Sequence, residues 1–259
     1  MSSQTAPLST SDSANGVRTI VLDRQERLNA VNEELAAALP DALDDAARND
    51  GVRAVIITGA GRAFCAGLDL KEPAGTDQAT LAERLDPYMW VGRWVQAVVR
   101  CEKPVIAGVN GVAAGAGMGL ALACDIRIAA TTARFAPGYM RIGLSPDAGM
   151  SWFLPRLIGL GRAMELLLTA REVDAPEAER IGLVAAVVPD DLLLQRATEL
   201  AERLATASPV ALALTRRALY QGMDATLDQQ LAREVEFVRV CAASREFREA
   251  VEEFRGKVR

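Results

Sequence analysis

The feature that most constrains this chain is an uncharged run of 21 residues, Pro104 to Cys124, set between Lys103 and Asp125. That length is enough to cross a bilayer. The run nevertheless carries five glycines and Asn110, and it lacks the sustained Leu, Ile and Val content of a membrane span. It divides instead into an apolar strand over Val105–Val109, a turn at Asn110-Gly111, small residues over Val112–Met118 and an apolar helix running on to Cys124. Small residues suit a tightly packed core helix, but that does not explain why so many glycines precede it. Gly115 and Gly117 carry no Cβ, so a ligand can approach the main chain there. A helix starting near Ala116 leaves its first N–H groups unpaired and aims its positive end at the same spot. Such a place suits an oxygen that gains negative charge during a reaction. A dinucleotide loop fits poorly, because GAGMGL puts Leu120 where the third glycine of G-x-G-x-x-G belongs.

Composition narrows the chemistry. The 259 residues contain no histidine, which excludes Ser-His-Asp and Cys-His catalysis and any His-ligated metal. Acid–base work falls to Asp, Glu, Tyr, Lys, Cys or water. The four cysteines, Cys65, Cys101, Cys124 and Cys241, form no C-x-x-C pair, so neither a zinc site nor a disulfide framework is expected. They read as buried thiols of a reduced, cytoplasmic protein. Cys65 lies in a Gly-rich loop but has no histidine to activate it as a nucleophile. A net charge of −5, without a dense basic patch, gives no pull toward nucleic acid.

Residues 1–16 are rich in Ser, Thr, Asp and Asn and read as a disordered tail. A core domain is expected over 17–200 and a helical oligomerisation region over 201–259. Strands are predicted at Val17–Leu22, Ala54–Thr58, Val105–Val109, Ile126–Ala130 and Val184–Val188. A helix is predicted to begin at Asn32 and to kink or restart at Pro40. Residues 73–86 read as a polar, mobile segment, and Pro87–Arg100 as a helix with an aromatic stripe. A helix is expected to start at Ser145-Pro146-Asp147, with Asp147 either its N-cap or a functional carboxylate.

Four runs occurring in order, FCAGLDLKE, NGVAAGAGMGLALACDIRIA, GLSPDAGMSWFLPRLIG and GRAMELLLTAREVDAPEAERIGLVAAVVP, resemble the crotonase superfamily of enoyl-CoA hydratases and isomerases. The resemblance implies an α/β spiral of β-β-α units with a helical C-terminal trimerisation region, forming trimers or hexamers. It implies an acyl-CoA substrate, with coenzyme A entering as part of that substrate and no separate cofactor, no metal and no membrane partner. Backbone N–H groups of Leu68 and Ala116, after Gly67 and Gly115, would grip the thioester oxygen as an enolate forms. Ala66 and Asp69 belong to the same substrate-binding loop. Arg27, Leu28 and Ala30 would lie around the adenine, Lys71 near the CoA phosphates, and Phe254 and Lys257 would reach CoA on a neighbouring subunit.

The departures from the family pattern bear on the reaction. Hydratases carry two glutamates, and on the motif these positions are Gly119 and Tyr139 here. Neither is a carboxylate, and a tyrosine with an ordinary pKa of about 10 is a poor base at neutral pH. The carboxylate left in the region is Asp147, at a point where some isomerases and dehalogenases place theirs. SPDAG also resembles the ring-opening isomerases of aromatic-CoA degradation. The expectation is double-bond isomerisation of an enoyl-CoA with Asp147 as acid/base. The alternatives are a hydratase using Tyr139 or Asp147 and a non-catalytic acyl-CoA-binding protein. Trp90, Trp94, Phe135, Tyr139 and Trp152 are candidate walls of the acyl pocket.

Overall fold

Apolar runs such as Ala54–Thr58 and Val105–Val109 carry no polar alternation, the pattern of strands covered on both faces. The computed structural model describes residues 6–72, 80–81 and 85–257, Lys257 by its backbone only. Much of the polar segment predicted over 73–86, together with the extreme N-terminus, lies outside the described residues. The strands are β1 (Leu8–Asp12), β2 (Val17–Leu22), β3 (Ala54–Gly59), β4 (Ala63–Cys65) and β5 (Val105–Val109). They continue as β6 (Val112–Ala114), β7 (Ile126–Ala130), β8 (Arg134–Ala136), β9 (Val173–Asp174) and β10 (Ala186–Val188). A six-stranded sheet has the order β1-β2-β3-β5-β7-β10, and a four-stranded sheet the order β4-β6-β8-β9. Successive strands alternate between them: β3, β5 and β7 enter the larger sheet and β4, β6 and β8 the smaller. A helix follows each pair, which is the expected spiral of β-β-α units.

The helices are α1 (Glu33–Arg48), α2 (Met89–Arg100), α3 (Ala116–Ala123), α4 (Met150–Ile158) and α5 (Leu160–Thr169). Then come α6 (Ala175–Arg180), α7 (Leu193–Ala205), α8 (Pro209–Gly222), α9 (Leu227–Ala243) and α10 (Arg245–Lys257). One face of the larger sheet presents Ile56, Ile106 and Ile128 to Leu193, Ala197 and Ala201 of α7. The opposite face, with Val55, Ile57, Val105 and Ala107, joins the main core between the sheets and α1–α5. Truncating one fully buried leucine of that core, such as Leu39, to alanine costs roughly 2–5 kcal/mol.

Several expectations are corrected. Residues 8–12 are not a disordered tail: β1 pairs antiparallel with β2, Leu8 opposite Leu22 and Asp12 opposite Arg18. Its sequence, LSTSD, is polar because the strand lies at an exposed sheet edge. The core does not end at residue 200, since that point falls inside α7, which covers the larger sheet. Helix α1 does not restart at Pro40. Proline there cannot donate to the carbonyl of Ala36, and the Trp94 indole N–H takes its place at 3.0 Å. Trp94 is thereby a core residue that repairs a helix. The helix expected from Ser145 begins only at Met150, with Gly149 at its N-cap.

Candidate active site

Two loops meet where the small sheet gives way to α3. Gly67 has φ 86°, and its carbonyl accepts the Val31 N–H at 2.7 Å. The Asp69 N–H donates to the Val31 carbonyl at 3.0 Å, so Val31 and Leu68 form a parallel bridge. With the peptides on either side of Leu68 turned toward Val31, the Leu68 N–H faces the other way. The start of α3 lies against the same loop at Gly67. A Cβ built on Gly67 would lie 3.4 Å from the Ala116 nitrogen and 2.8 Å from the Ala114 carbonyl oxygen. Gly115, with φ 49° and ψ −124°, turns the chain into the helix, and its N–H donates to the Ala136 carbonyl at 2.9 Å. Among the described residues, no protein acceptor meets the N–H of Leu68 or of Ala116. The structure thus brings the two expected amides together.

The glycines before and inside α3 do different work. A Cβ on Gly115 would meet nothing within 4 Å, so open space lies beside it. A Cβ on Gly117 would fall 2.1 Å from the Cys65 carbonyl oxygen. Gly117 therefore allows α3 to rest on β4 and does not open the backbone to a ligand, which corrects its predicted role. Cys65 itself is sealed beneath this contact, and burial pushes its thiol up to about 12, so it is no nucleophile.

The Arg27–Val31 stretch is fastened to the Gly67 loop. Asn29 is fully buried at φ 57°, and its side-chain amide donates to the carbonyls of Ala60 and Ala63 at 3.0 and 2.8 Å. The Ala66 N–H donates to the Leu28 carbonyl at 3.0 Å. Arg24 pairs with Asp69 at 3.0 Å and with Glu72 at 3.2 Å, and also reaches the Ala30 carbonyl. Burial alone would raise the Asp69 carboxyl, but the amides of Lys71 and Glu72 and the Arg24 guanidinium outweigh it and hold the group below the usual carboxylate range. Asp69 is 4 % exposed and so anchors the loop instead of meeting solvent. Arg27 lies 3.6 Å from Glu72, and Lys71 is exposed at the rim. Phe254 is exposed on α10, the last helix, and the side chain of Lys257 lies outside the described residues.

Asp147 is tied to Tyr139. The Tyr139 hydroxyl donates to Asp147 Oδ1 at 2.7 Å and lies 3.4 Å from the Asp147 carbonyl oxygen. Tyr139 is 5 % exposed, whereas Asp147 as a whole residue is exposed, with its carboxylate turned onto the tyrosine. Partial burial of that carboxylate raises its pKa above the ordinary value, opposed by the hydrogen bond from Tyr139. Burial, then the nearby Asp147 charge, drives the phenol well above its usual value, so Tyr139 stays a hydrogen-bond donor. Asp147 is not a side-chain N-cap: α4 has Gly149 at that position and no capping side chain. What Asp147 gives the helix start is its carbonyl, which accepts the Met150 N–H at 2.9 Å. On the other flank, Ala148 adopts φ 48° and rests on Gly119, where a Cβ would fall 2.5 Å from the Ala148 oxygen.

The aromatic candidates separate. Trp94 and Phe135 are core residues, 1 % and 0 % exposed, and Trp90 packs edge-on against Trp94. Trp152 alone of the five lines a cavity of about 380 Å³ that reaches the Asp147 loop at Gly149. Val95, Val99, Phe153 and Tyr220 complete its apolar wall, with Gln96 and Arg100 at its edge. Trp152 stacks on Tyr220 of α8 with ring centroids 6.3 Å apart. The sequence reading missed Phe153 and Tyr220. Phe153 follows Trp152 directly, but Tyr220 comes from a distant helix with no local signal.

The family model described as enoyl-CoA hydratase/isomerase matches residues 12–259. The 1,2-epoxyphenylacetyl-CoA isomerase of Escherichia coli K12 is 41 % identical over 248 residues, covering 93 % of each chain. The 2,3-dehydroadipyl-CoA hydratase of the same organism is 36 % identical over 238 residues, covering 92 % of this chain and 91 % of its own. Among solved structures, an enoyl-CoA hydratase from Bacillus anthracis superposes with a TM-score of 0.89 at 36 % identity, over 97 % of this chain and 96 % of its own. With its strands alternating between two sheets and the Gly67 loop set against the start of α3, the chain belongs to the enoyl-CoA hydratase/isomerase family.

Proposed function

We propose that this enzyme shifts a double bond, or carries out a related proton transfer, on an acyl-CoA thioester. The Leu68 and Ala116 amides hold the thioester oxygen as negative charge develops, each contributing about 3–4 kcal/mol of transition-state stabilisation. Asp147 takes a proton from the α-carbon of a 3-enoyl thioester, leaving a dienolate, and returns it to the γ-carbon to give the 2-enoyl thioester. Tyr139 orients the carboxylate and donates to it. One observation carries the choice of reaction: of Gly119, Tyr139 and Asp147, Asp147 alone carries a carboxylate. Gly119 has no side chain and no room for one, and Tyr139 is a donor, so the pair of glutamates that would activate water has no counterpart. Relatives named as an isomerase and as hydratases both act, by their names, on CoA thioesters, which supports the substrate class.

Coenzyme A enters with the substrate, its adenine near Arg27, Leu28 and Ala30 and its phosphates near Lys71. Phe254 and Lys257 reach the CoA of a neighbouring subunit. A homotrimer, or a hexamer built from two, is supported by exposed apolar side chains along α8–α10, among them Leu219, Leu227, Leu231 and Phe247. Among the described residues no helix is long and apolar enough to cross a membrane, and a cytoplasmic location fits this reading.

The test is turnover of a 3-enoyl-CoA and of a 2-enoyl-CoA by the wild-type enzyme and by Asp147→Asn. The proposal requires conversion of the 3-enoyl thioester that the substitution abolishes. Water addition to the 2-enoyl thioester as the main activity would make the enzyme a hydratase instead. Tight binding with no turnover of either would make it a carrier.

A further inference from the structure

We infer that Gly119 is a positioning residue: the bare backbone of α3 at this point is the seat on which the loop carrying Asp147 rests. The inference depends on Asp147 being the acid/base. A Cβ at Gly119 would lie 2.5 Å from the Ala148 oxygen, 2.6 Å from its Cβ and 3.3 Å from its carbonyl carbon. Real side chains do not tolerate the first two separations. Ala148 is 4 % exposed, and it and Gly149 are both left-handed, with φ of 48° and 71°. Two successive left-handed residues fold the chain sharply back, and that turn lays Ala148 on the helix directly after Asp147. From the other side, Tyr139 holds Asp147 at its Oδ1 and lies against its carbonyl. The carboxylate is therefore clamped between a phenol and a turn whose depth is set by Gly119. Gly119 lies three residues along α3 from Ala116, about 4.5 Å along the axis. The seat is thus within one helical turn of the amide assigned to the thioester oxygen.

Absence of a side chain at 119 then has two effects. It removes the place where a second carboxylate would stand, and it lets Asp147 approach by way of Ala148. Gly119 touches no substrate in this account and acts through the turn alone.

The experiment measures kcat and KM for 3-hexenoyl-CoA with the wild type, Gly119→Ala, Ala148→Gly and the double variant, together with thermal melts. Gly119→Ala must lift the turn by several tenths of an ångström or more. The expected result is a kcat lower by about 10²-fold, the penalty of a misplacement approaching 1 Å, with KM unchanged. In the double variant one overlap is gone and the backbone at 148 is free to move, and kcat recovers by about tenfold over Gly119→Ala. A folded Gly119→Ala enzyme with wild-type kcat overturns the inference, and so does a loss that the double variant does not relieve. If Gly119→Ala fails to fold, Ala148→Gly decides. Loosening the turn lowers kcat several-fold at unchanged KM, and a wild-type kcat overturns the inference. Failure of the underlying assignment looks different: the wild type leaves 3-hexenoyl-CoA untouched, or Asp147→Asn remains fully active.

Discussion

Replacing Tyr139 by phenylalanine removes one hydroxyl from a site that is otherwise unchanged in shape. That hydroxyl makes a 2.7 Å hydrogen bond to Asp147 Oδ1 from a side chain only 5 % exposed. Hydrogen bonds to charged groups contribute about 1.5–3 kcal/mol net. The carboxylate belongs to an exposed residue, so water can replace part of the lost donor, and the lower end applies. A loss of about 1.5 kcal/mol corresponds to roughly tenfold in kcat/KM. The sign of the pH effect follows from the same contact. The Asp147 pKa already stands above its ordinary value through partial burial, and the Tyr139 bond pulls it down. Removing the bond lets it rise, so the acid limb of the pH–kcat/KM profile moves to higher pH. The assay is isomerisation of a 3-enoyl-CoA followed spectrophotometrically across the acid range, with circular dichroism to verify the fold. An acid limb that stays in place, or moves to lower pH, would refute the reasoning about how Tyr139 acts on Asp147.

Asp147→Asn separates function from stability. Because the folded state raises this carboxyl's pKa, ionising it costs the folded state as pH climbs above the ordinary carboxylate range. At neutral pH the amide variant loses turnover, while its melting temperature is expected to equal or exceed that of the wild type in a thermal melt. Asp69→Ala has the reverse profile. It strands the buried Arg24, whose remaining partners are Glu72 and the Ala30 carbonyl, and costs about 3 kcal/mol in urea unfolding. Asp69 is held below its ordinary pKa, so its contribution is present above about pH 4 and fades as pH falls through the lower folded value, a dependence the variant lacks. Iodoacetamide at pH 7.5 leaves Cys65 unmodified in the folded enzyme, as read by peptide mass spectrometry, because its thiol is buried and pushed up to about 12.

The central strands β3 and β5 of the larger sheet were legible because they are buried on both faces and spell almost unbroken apolar runs. The smaller sheet was not. Its strands are two or three residues long, each beside glycines, prolines or turns, and no alternation can develop over that length. The edge strand β1 was hidden by its polar composition. Proline at position 40 read as a kink or restart because the compensating donor, Trp94, is 54 positions away in the chain. At the site, the glycine turn into α3 was legible because Gly115 and Gly117 leave a local signature, whereas Leu68 was expected from the family resemblance alone. The surroundings of Asp147 were not: local sequence offered both helix capping and chemistry, and only the fold shows that it does not cap α4 and that its carboxylate is turned to Tyr139. The dual character of the α3 glycines was likewise out of reach, since Gly117 and Gly119 are explained by Cys65 and Ala148, neighbours in space alone.

The central claim concerns where the thioester oxygen sits. A crystal structure of the Asp147→Asn enzyme with a bound 3-enoyl-CoA tests it most directly. The account predicts the carbonyl oxygen at about 2.7–3.1 Å from both the Leu68 and the Ala116 nitrogens, with the side chain of residue 147 beside the carbon that gives up its proton. A thioester bound elsewhere, its oxygen beyond hydrogen-bonding distance of both amides, would contradict it.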